Sequence, residues 1–371
     1  MKIVDVKLHA FTRPAPGTAA DFAIKNTGDT LIDLLTKYVA IQVITDEGVV
    51  GESFSLGGGL GLAHTLASTV KPFLIGKNPL HREAIWQGMW HYNRFWLTQV
   101  SALGVIDVAL WDLYGKIVGR PVAEILGIYR EKIPTYASSM TKPTIGAFID
   151  EALDCKERGY QGYKIHSIGD PKQDIELYTQ MRKALGDDYP LMVDVVSGYD
   201  EYEALRVGRV LEDLGYLWYE EPLREYDIHG YKMLADKLDI PIAGVEVNEG
   251  SIYTTPEYIT TRAVDIVRSC VGFKAGIGQV KKTAALAEAF GLKLEVHTNG
   301  NPVLDAANLA VALSIKNTTF FEQLVPERLF NFGVEEPVTI DKEGFAHMPK
   351  GPGIGMKIDW DFVKRYTEVV L

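Results

Sequence analysis

Lys164-Ile165-His166, Asp194, Glu220, Glu246, Cys270, His297 and Glu322 close seven short apolar runs. Counted from Lys164, their ends fall 30, 26, 26, 24, 27 and 25 residues apart. Helical stretches of about ten to fifteen residues separate the runs, which is the texture of βαβ units. One strand and one helix per step, repeated this evenly, is what a (β/α) barrel produces. A first strand over Ile133–Ser138 brings the expected strands to eight. In such a barrel the residues at the C-terminal ends of the strands face the active site. Six of the seven stops carry Lys, His, Asp or Glu, so the phase of the repeat gathers them in one cavity. A single charge after a strand is usually only a solvated loop start; six in phase are not.

Asp194, Glu220 and Glu246 stand on three consecutive strands. Carboxylates brought together repel and raise each other's pKa unless a cation neutralises them. Oxygen-only donors suit Mg²⁺, and zinc is disfavoured because no His or Cys is interleaved with them. Glu220-Glu221-Pro222 leaves the pointing residue open, and the even spacing selects Glu220 with Glu221 as fallback. Lys164 and His166 alternate across one residue and share a face of their strand. A buried lysine beside a metal is expected to have a lowered pKa and to act as a base or electrostatic partner. Histidine serves either half of acid–base work, and His297 lies across the barrel axis. Glu322 is expected to donate a hydrogen bond if burial raises its pKa. Together these residues suggest proton removal beside a metal-bound carboxylate.

The remainder of the chain sets the frame. The 371 residues carry 38 Lys+Arg and 49 Asp+Glu, a net charge of −11, with 47% apolar residues. This is ordinary globular composition with length for about two domains. The acidic balance argues against nucleic acid and anionic membrane surfaces as partners. Cys155 and Cys270 make no disulfide framework, the first residues are too charged for a signal peptide, and no apolar run is long enough to span a membrane, so a cytoplasmic protein is expected. In the first third, Lys2–Phe11 and Tyr38–Thr45 read as strands, the latter entering a turn at Asp46-Glu47-Gly48. Thr12–Thr30 and Ser53–Gly61 read as loops able to cover a site. The spacing from Leu62 to Val118 is helical, stopped by Gly119-Arg120-Pro121. Gly57-Gly58-Gly59 and Gly276-Ile277-Gly278 lack the context of phosphate-binding loops. Trp86, Trp90, Tyr92, Phe95 and Trp96 read mainly as helix packing, with Tyr92 able to reach substrate if that helix meets the barrel mouth.

These residues resemble the enolase superfamily, and within it the mandelate racemase subgroup, over nearly the whole chain. Ala109-Leu110-Trp111-Asp112-Leu113-Tyr114-Gly115-Lys116 with Gly119, Pro121 and Leu126-Gly127 resembles the capping-domain signature. Asp46–Glu52 is similar to the N-terminal hairpin, and Trp218-Tyr219-Glu220-Glu221-Pro222 to the strand of the second metal ligand, where the first Glu is the ligand. Gly351-Pro352-Gly353-Ile354-Gly355 resembles the return to the cap. The resemblance implies an α/β fold, a (β/α)7β TIM-like barrel under an α+β capping domain. It divides the chain into a capping domain over 1–128, a catalytic barrel over 129–330, and a C-terminal segment over 331–371 returning to the cap. It further implies one Mg²⁺ on Asp194, Glu220 and Glu246, with Glu322 hydrogen-bonded to a substrate carboxylate.

Two departures bear on the chemistry. His166 stands where the subgroup commonly has the second Lys of Lys-x-Lys, so it takes the position of the base. Cys270, within Arg268-Ser269-Cys270, replaces the Asp that normally pairs with His297, which leaves His297 a better general acid than base. The expected reaction is dehydration of a sugar acid, an aldonate or aldarate. His166, assisted by Lys164, takes the α-proton, Mg²⁺ and Glu322 hold the enediolate, and His297 protonates the leaving 3-hydroxyl, giving a 2-keto-3-deoxy acid. The alternative is a racemase or epimerase of a 2-hydroxy acid or amino acid derivative. Behind it stand a cycloisomerase, an acid-binding member without activity, and a Schiff-base aldolase on Lys164. Asn299 and Asn248, at loop ends after strands, join Tyr92 as candidate contacts of a small carboxylate substrate. A homo-oligomer, dimer to octamer, is expected.

Overall fold

The computed structural model describes residues 1–15 and 36–371. Most of the expected covering loop Thr12–Thr30, from residue 16 onward, lies outside the described residues. Strands β1 (Ile3–Thr12), β2 (Lys37–Thr45) and β3 (Val50–Phe54) form an antiparallel sheet. Thr45 and Val49 close the β2–β3 turn, with Gly48 at φ 80. The helical region divides into Gly59–Ser68, Val70–Leu74, Arg82–Trp96 and Val100–Val118. The last ends at Gly119 with φ 66, where a left-handed residue closes the helix without a Cβ penalty.

Eight parallel strands follow: β4 (Lys132–Ser138), β5 (Tyr163–His166), β6 (Leu191–Asp194), β7 (Tyr219–Glu220), β8 (Ile242–Gly244), β9 (Ile266–Ser269), β10 (Lys293–Val296) and β11 (Phe321–Leu324). β11 pairs back on β4, so the sheet closes into a barrel. Two segments of the C-terminal tail behave differently. β12 (Phe345–His347) runs antiparallel to β4 on the barrel, whereas β13 (Thr367–Val370) joins β1 of the N-terminal sheet. Ile354 N–H donates to buried Asp112, which also accepts from Glu52 N–H, so the tail docks on the helix Val100–Val118. Among the described residues no helix is long and apolar enough to cross a membrane.

The cap meets the barrel along the same helix. A Cβ on Gly104 would come within 2.5 Å of the Val271 carbonyl, so only glycine permits this approach to the loop after β9. Three residues on, buried Asp107 faces the first N–H groups of the barrel helix Ile277–Ala289. Burial pushes its carboxyl up to about 7, against the pull of Arg82 and those N–H groups. A carboxyl raised in the folded state favours folding below its unfolded pKa, near 4, and that contribution is lost as pH rises to about 7. Asp107→Asn is therefore expected to be more favourable to stability at pH 8 than at pH 5, by on the order of 1–3 kcal/mol. Urea unfolding at the two pH values measures this, and equal differences at both would sink it.

Candidate active site

The register of the barrel sets His166 opposite Asp194 and Asp194 opposite Glu220, so three functional side chains stand side by side at the strand ends. Beneath them Tyr136, Met192, Trp218, Ala243, Ile266 and Phe320 plug the barrel with apolar packing. Trp218 Nε1 reaches up 2.9 Å to Glu220 Oε2, tying the plug to the charged layer. Glu322 lies inside β11, not at its end, and is buried. Glu246 follows β8 by two residues and Cys270 and His297 follow their strands by one.

Several backbone positions here are strained. Val245, directly before Glu246, has φ 76, a region β-branched residues avoid; Val196, Ser197 and Glu221 also have positive φ. These residues adjoin Glu246, Asp194 and Glu220, and such strain concentrates where surrounding structure must aim a side chain.

The charged layer is a network of ion pairs. Lys164 Nζ, wholly buried, lies 3.2 Å from Asp194, 2.8 Å from Glu220 and 3.0 Å from Glu322. Burial alone would lower this ammonium, but Glu220 and Glu322 hold its pKa well above the usual value. Beside these carboxylates Lys164 is held as a cation; the expected lowering is for a lysine next to a metal ion. Arg268, also wholly buried, supplies a second. Its Nε is 2.8 Å from Glu220 and 3.5 Å from Glu246, and its Nη2 is 2.6 Å from Glu322. Against burial, Lys164 and Arg268 pull Glu322 well below the usual carboxylate range. Glu322 is therefore an acceptor between two cations, not the donor expected from burial alone.

Each histidine is held by one carboxylate. His166 Nε2 is 3.2 Å from Asp194, and its Nδ1 is 2.5 Å from the Ser139 carbonyl. Burial lowers its pKa but Asp194 outweighs it, so His166 is raised above the ordinary imidazole value. His297 Nε2 is 3.2 Å from Glu246 Oε1, its ring stacks on Phe273 at 5.7 Å, and its buried Nδ1 has no partner. Burial pushes His297 down to about 3 and, with Glu220 adding, raises Glu246 well above the carboxylate range. Cys270 Sγ accepts from Asn299 Nδ2 at 3.1 Å and from Phe273 N–H, and burial pushes its thiol up to about 12.

Among the described residues no three His, Cys, Asp or Glu side chains converge as the ligands of one ion would. Glu220 is drawn instead to Lys164, Arg268 and Trp218. The donor chemistry nonetheless fits a hard divalent cation. Asp194, Glu220, Glu246 and Glu322 bring four carboxyl groups to one layer beside Lys164 and Arg268. Glu246 Oε2 is buried without a hydrogen-bond donor. A divalent ion would close that deficit with oxygen donors it favours. The neighbouring Glu221 accepts from Glu246 N–H, and burial pushes it up to about 8.

A cavity of about 610 Å³ opens above this layer, with His166, Thr298, Asn299 and His297 on its polar side and Leu56, Met140, Ile168, Val195, Phe273, Leu324 and Phe330 on its apolar side. Leu56 arrives from the Ser53–Gly61 segment, anchored by Asn301 Nδ2 on the Ser55 carbonyl. Two expected substrate contacts are not on this cavity. Asn248 is buried, its Nδ2 spent on the Glu225 carbonyl and its own carbonyl on Lys274. Tyr92 packs on Phe73 and Trp96 on the outer face of the cap, half exposed. Arg268, Ser139, Phe273 and Thr298 were not singled out from the sequence. Arg268 had a signal: it lies two residues before Cys270, hence on the same strand face.

Residues 33–127 match the N-terminal domain of the mandelate racemase/muconate lactonizing enzyme family, and residues 147–362 match the enolase C-terminal domain-like family. The chain belongs to this branch of the enolase superfamily. It is similar to an arabinonate dehydratase of Saccharolobus solfataricus, 30% identical over 86% of this chain and 88% of that protein. It is 34% identical to an L-talarate/galactarate dehydratase of Salmonella typhimurium over 70% of this chain and 67% of that protein. Among solved structures, a D-glucarate dehydratase of Agrobacterium tumefaciens complexed with magnesium superposes with a TM-score of 0.87 at 32% identity, covering all of both chains.

Proposed function

We propose that this chain is a Mg²⁺-dependent hydro-lyase that dehydrates a sugar acid, an aldonate or aldarate, to a 2-keto-3-deoxy acid. The observation that carries the reading is the placement of two histidines from β5 and β10 on one cavity, each beside a carboxylate of the charged layer. The dehydratase relatives support the reaction class. Held by Asp194, Glu220 and Glu246, Mg²⁺ would supply positive charge for the substrate carboxylate.

The chain's own residues then divide the work. The Ser139 carbonyl accepts from His166 Nδ1–H, which fixes the tautomer and leaves Nε2 to take the α-proton. Lys164 and Arg268 stabilise the negative charge that develops. His297 delivers a proton to the departing 3-hydroxyl, so water leaves and the enol product becomes the keto acid. The apolar side of the cavity suits a substrate with few distal hydroxyls, so deoxy acids belong in any screen. A racemase or epimerase is the second reading, favoured by proton carriers on two separate strands. A cytoplasmic homo-oligomer, dimer to octamer, completes the proposal.

The test is a library of acid sugars incubated with Mg²⁺ in D₂O, reading 2-keto acid and α-deuteration together. Keto acid that disappears with EDTA and returns with Mg²⁺ is the expected result. Deuteration without keto acid would move the function to racemisation, and keto acid formed at full rate after exhaustive chelation would overturn the metal requirement.

A further inference from the structure

Arg268 reaches the centre of the site from β9, fully buried, and its guanidinium touches the carboxylates of three other strands: Glu220 on β7, Glu246 after β8 and Glu322 in β11. Its Nη1 also donates to the Glu295 carbonyl, which fixes the plane of the fork. Two of those carboxylates are the ones assigned above to the metal. Glu220 Oε1 is shared by Lys164 and Arg268 while its Oε2 accepts from Trp218, so any metal ion must share Glu220 with charges already seated.

We propose that Arg268 is a positioning residue, a resident cation that keeps Glu220, Glu246 and Glu322 assembled without metal and weakens divalent-ion binding by competing for their oxygens. The inference rests on the metal reading above. Its physical basis is twofold. Buried carboxylates left without a counter-charge are strongly destabilising, so a charge permanently built into β9 holds the ion-free site together. A guanidinium is never deprotonated in proteins, so this charge is present at every working pH and always opposes the entry of a second cation. A site of this kind takes up and releases its metal without coming apart.

The experiment compares the full-length wild type with Arg268→Gln and Arg268→Lys. Mg²⁺ and Mn²⁺ binding are measured by calorimetry, and Tm is measured with and without metal. Arg268→Gln is expected to bind the ions about tenfold more tightly. Its chelated form should melt about 5 °C or more below chelated wild type, with a larger gain in Tm on adding metal. Arg268→Lys, keeping the charge but not the fork, should stay near wild type in affinity. Chelated wild type alone should keep its Tm to within about 2 °C, a measurement that stands even if Arg268→Gln fails to fold. Equal or weaker metal binding in Arg268→Gln would overturn the competition while leaving the metal reading intact. Binding to neither protein would overturn both, and a chelated wild type that loosens would overturn the assembling role.

Discussion

Lys164→Met is expected to abolish turnover, by at least about 10³-fold, and to lower the stability of the ion-free protein by about 3–5 kcal/mol. The side chain is wholly buried and contacts Asp194, Glu220 and Glu322 together. Removing it leaves those carboxylates with Arg268 as their only fixed cation. Asp194 is itself held below the usual carboxylate range by Lys164 and His166 against burial, so its partner His166 also feels the loss. Two consequences separate catalysis from folding. Saturating Mg²⁺ should restore much of the lost Tm, because a divalent ion supplies more charge than was removed. It should not restore turnover, because no donor replaces the ammonium beside the substrate carboxylate. Calorimetric melting and a keto-acid assay on the same preparation measure both, and a variant that retains a tenth of wild-type turnover would remove Lys164 from the mechanism.

The barrel was legible because its signal is redundant. Each strand repeats the same message at a spacing near 26, and the register that places His166, Asp194 and Glu220 abreast follows from parallel pairing at those intervals. The cap's strands and the Gly119 stop were legible for a local reason, since alternation and a left-handed glycine need no distant partner. Side-chain charge states were not legible. The sign of the shift at Lys164 comes from Glu220 and Glu322, and that at Glu322 from Lys164 and Arg268, groups that enter from other strands.

Tyr92 and Asn248 fail for a different reason. The helix Arg82–Trp96 has aromatic residues on more than one face, and which face meets the barrel is decided by the docking of the whole cap. Trp86 Nε1, bonded to the Ala275 carbonyl at 2.7 Å, and Trp90, packed on Tyr253, reach the barrel, and Tyr92 is half exposed. Asn248 sits at a strand end as expected, but the loop after β8 folds over Lys274, ties up the Asn248 amide nitrogen and backbone carbonyl, and buries the side chain. Strand position says which end of the barrel a residue occupies; it does not say whether the loop there opens to the cavity or closes on itself.

His166→Asn is expected to remove both α-deuteration and keto-acid formation, each by about 10³-fold or more, whereas His297→Asn removes keto-acid formation but keeps deuteration within about tenfold of wild type. The asymmetry follows from what holds each ring. His166 is fixed by the Ser139 carbonyl at Nδ1, so its Nε2 is an acceptor whenever Asp194 is engaged elsewhere. Among the described residues His297 has the Phe273 stack and Glu246 and no partner at Nδ1, so nothing there fixes it as a base of matching strength. Burial pushes His297 down to about 3 while Asp194 raises His166, shifts that taken alone favour the opposite state. If that state were the working one, His297→Asn would lose deuteration and His166→Asn would keep it. A racemase would show a third pattern, each variant losing exchange with one enantiomer only. The deuteration of the two variants, measured with Mg²⁺ present, therefore identifies which histidine takes the proton and whether the metal's claim on Asp194 and Glu246 is what sets the direction.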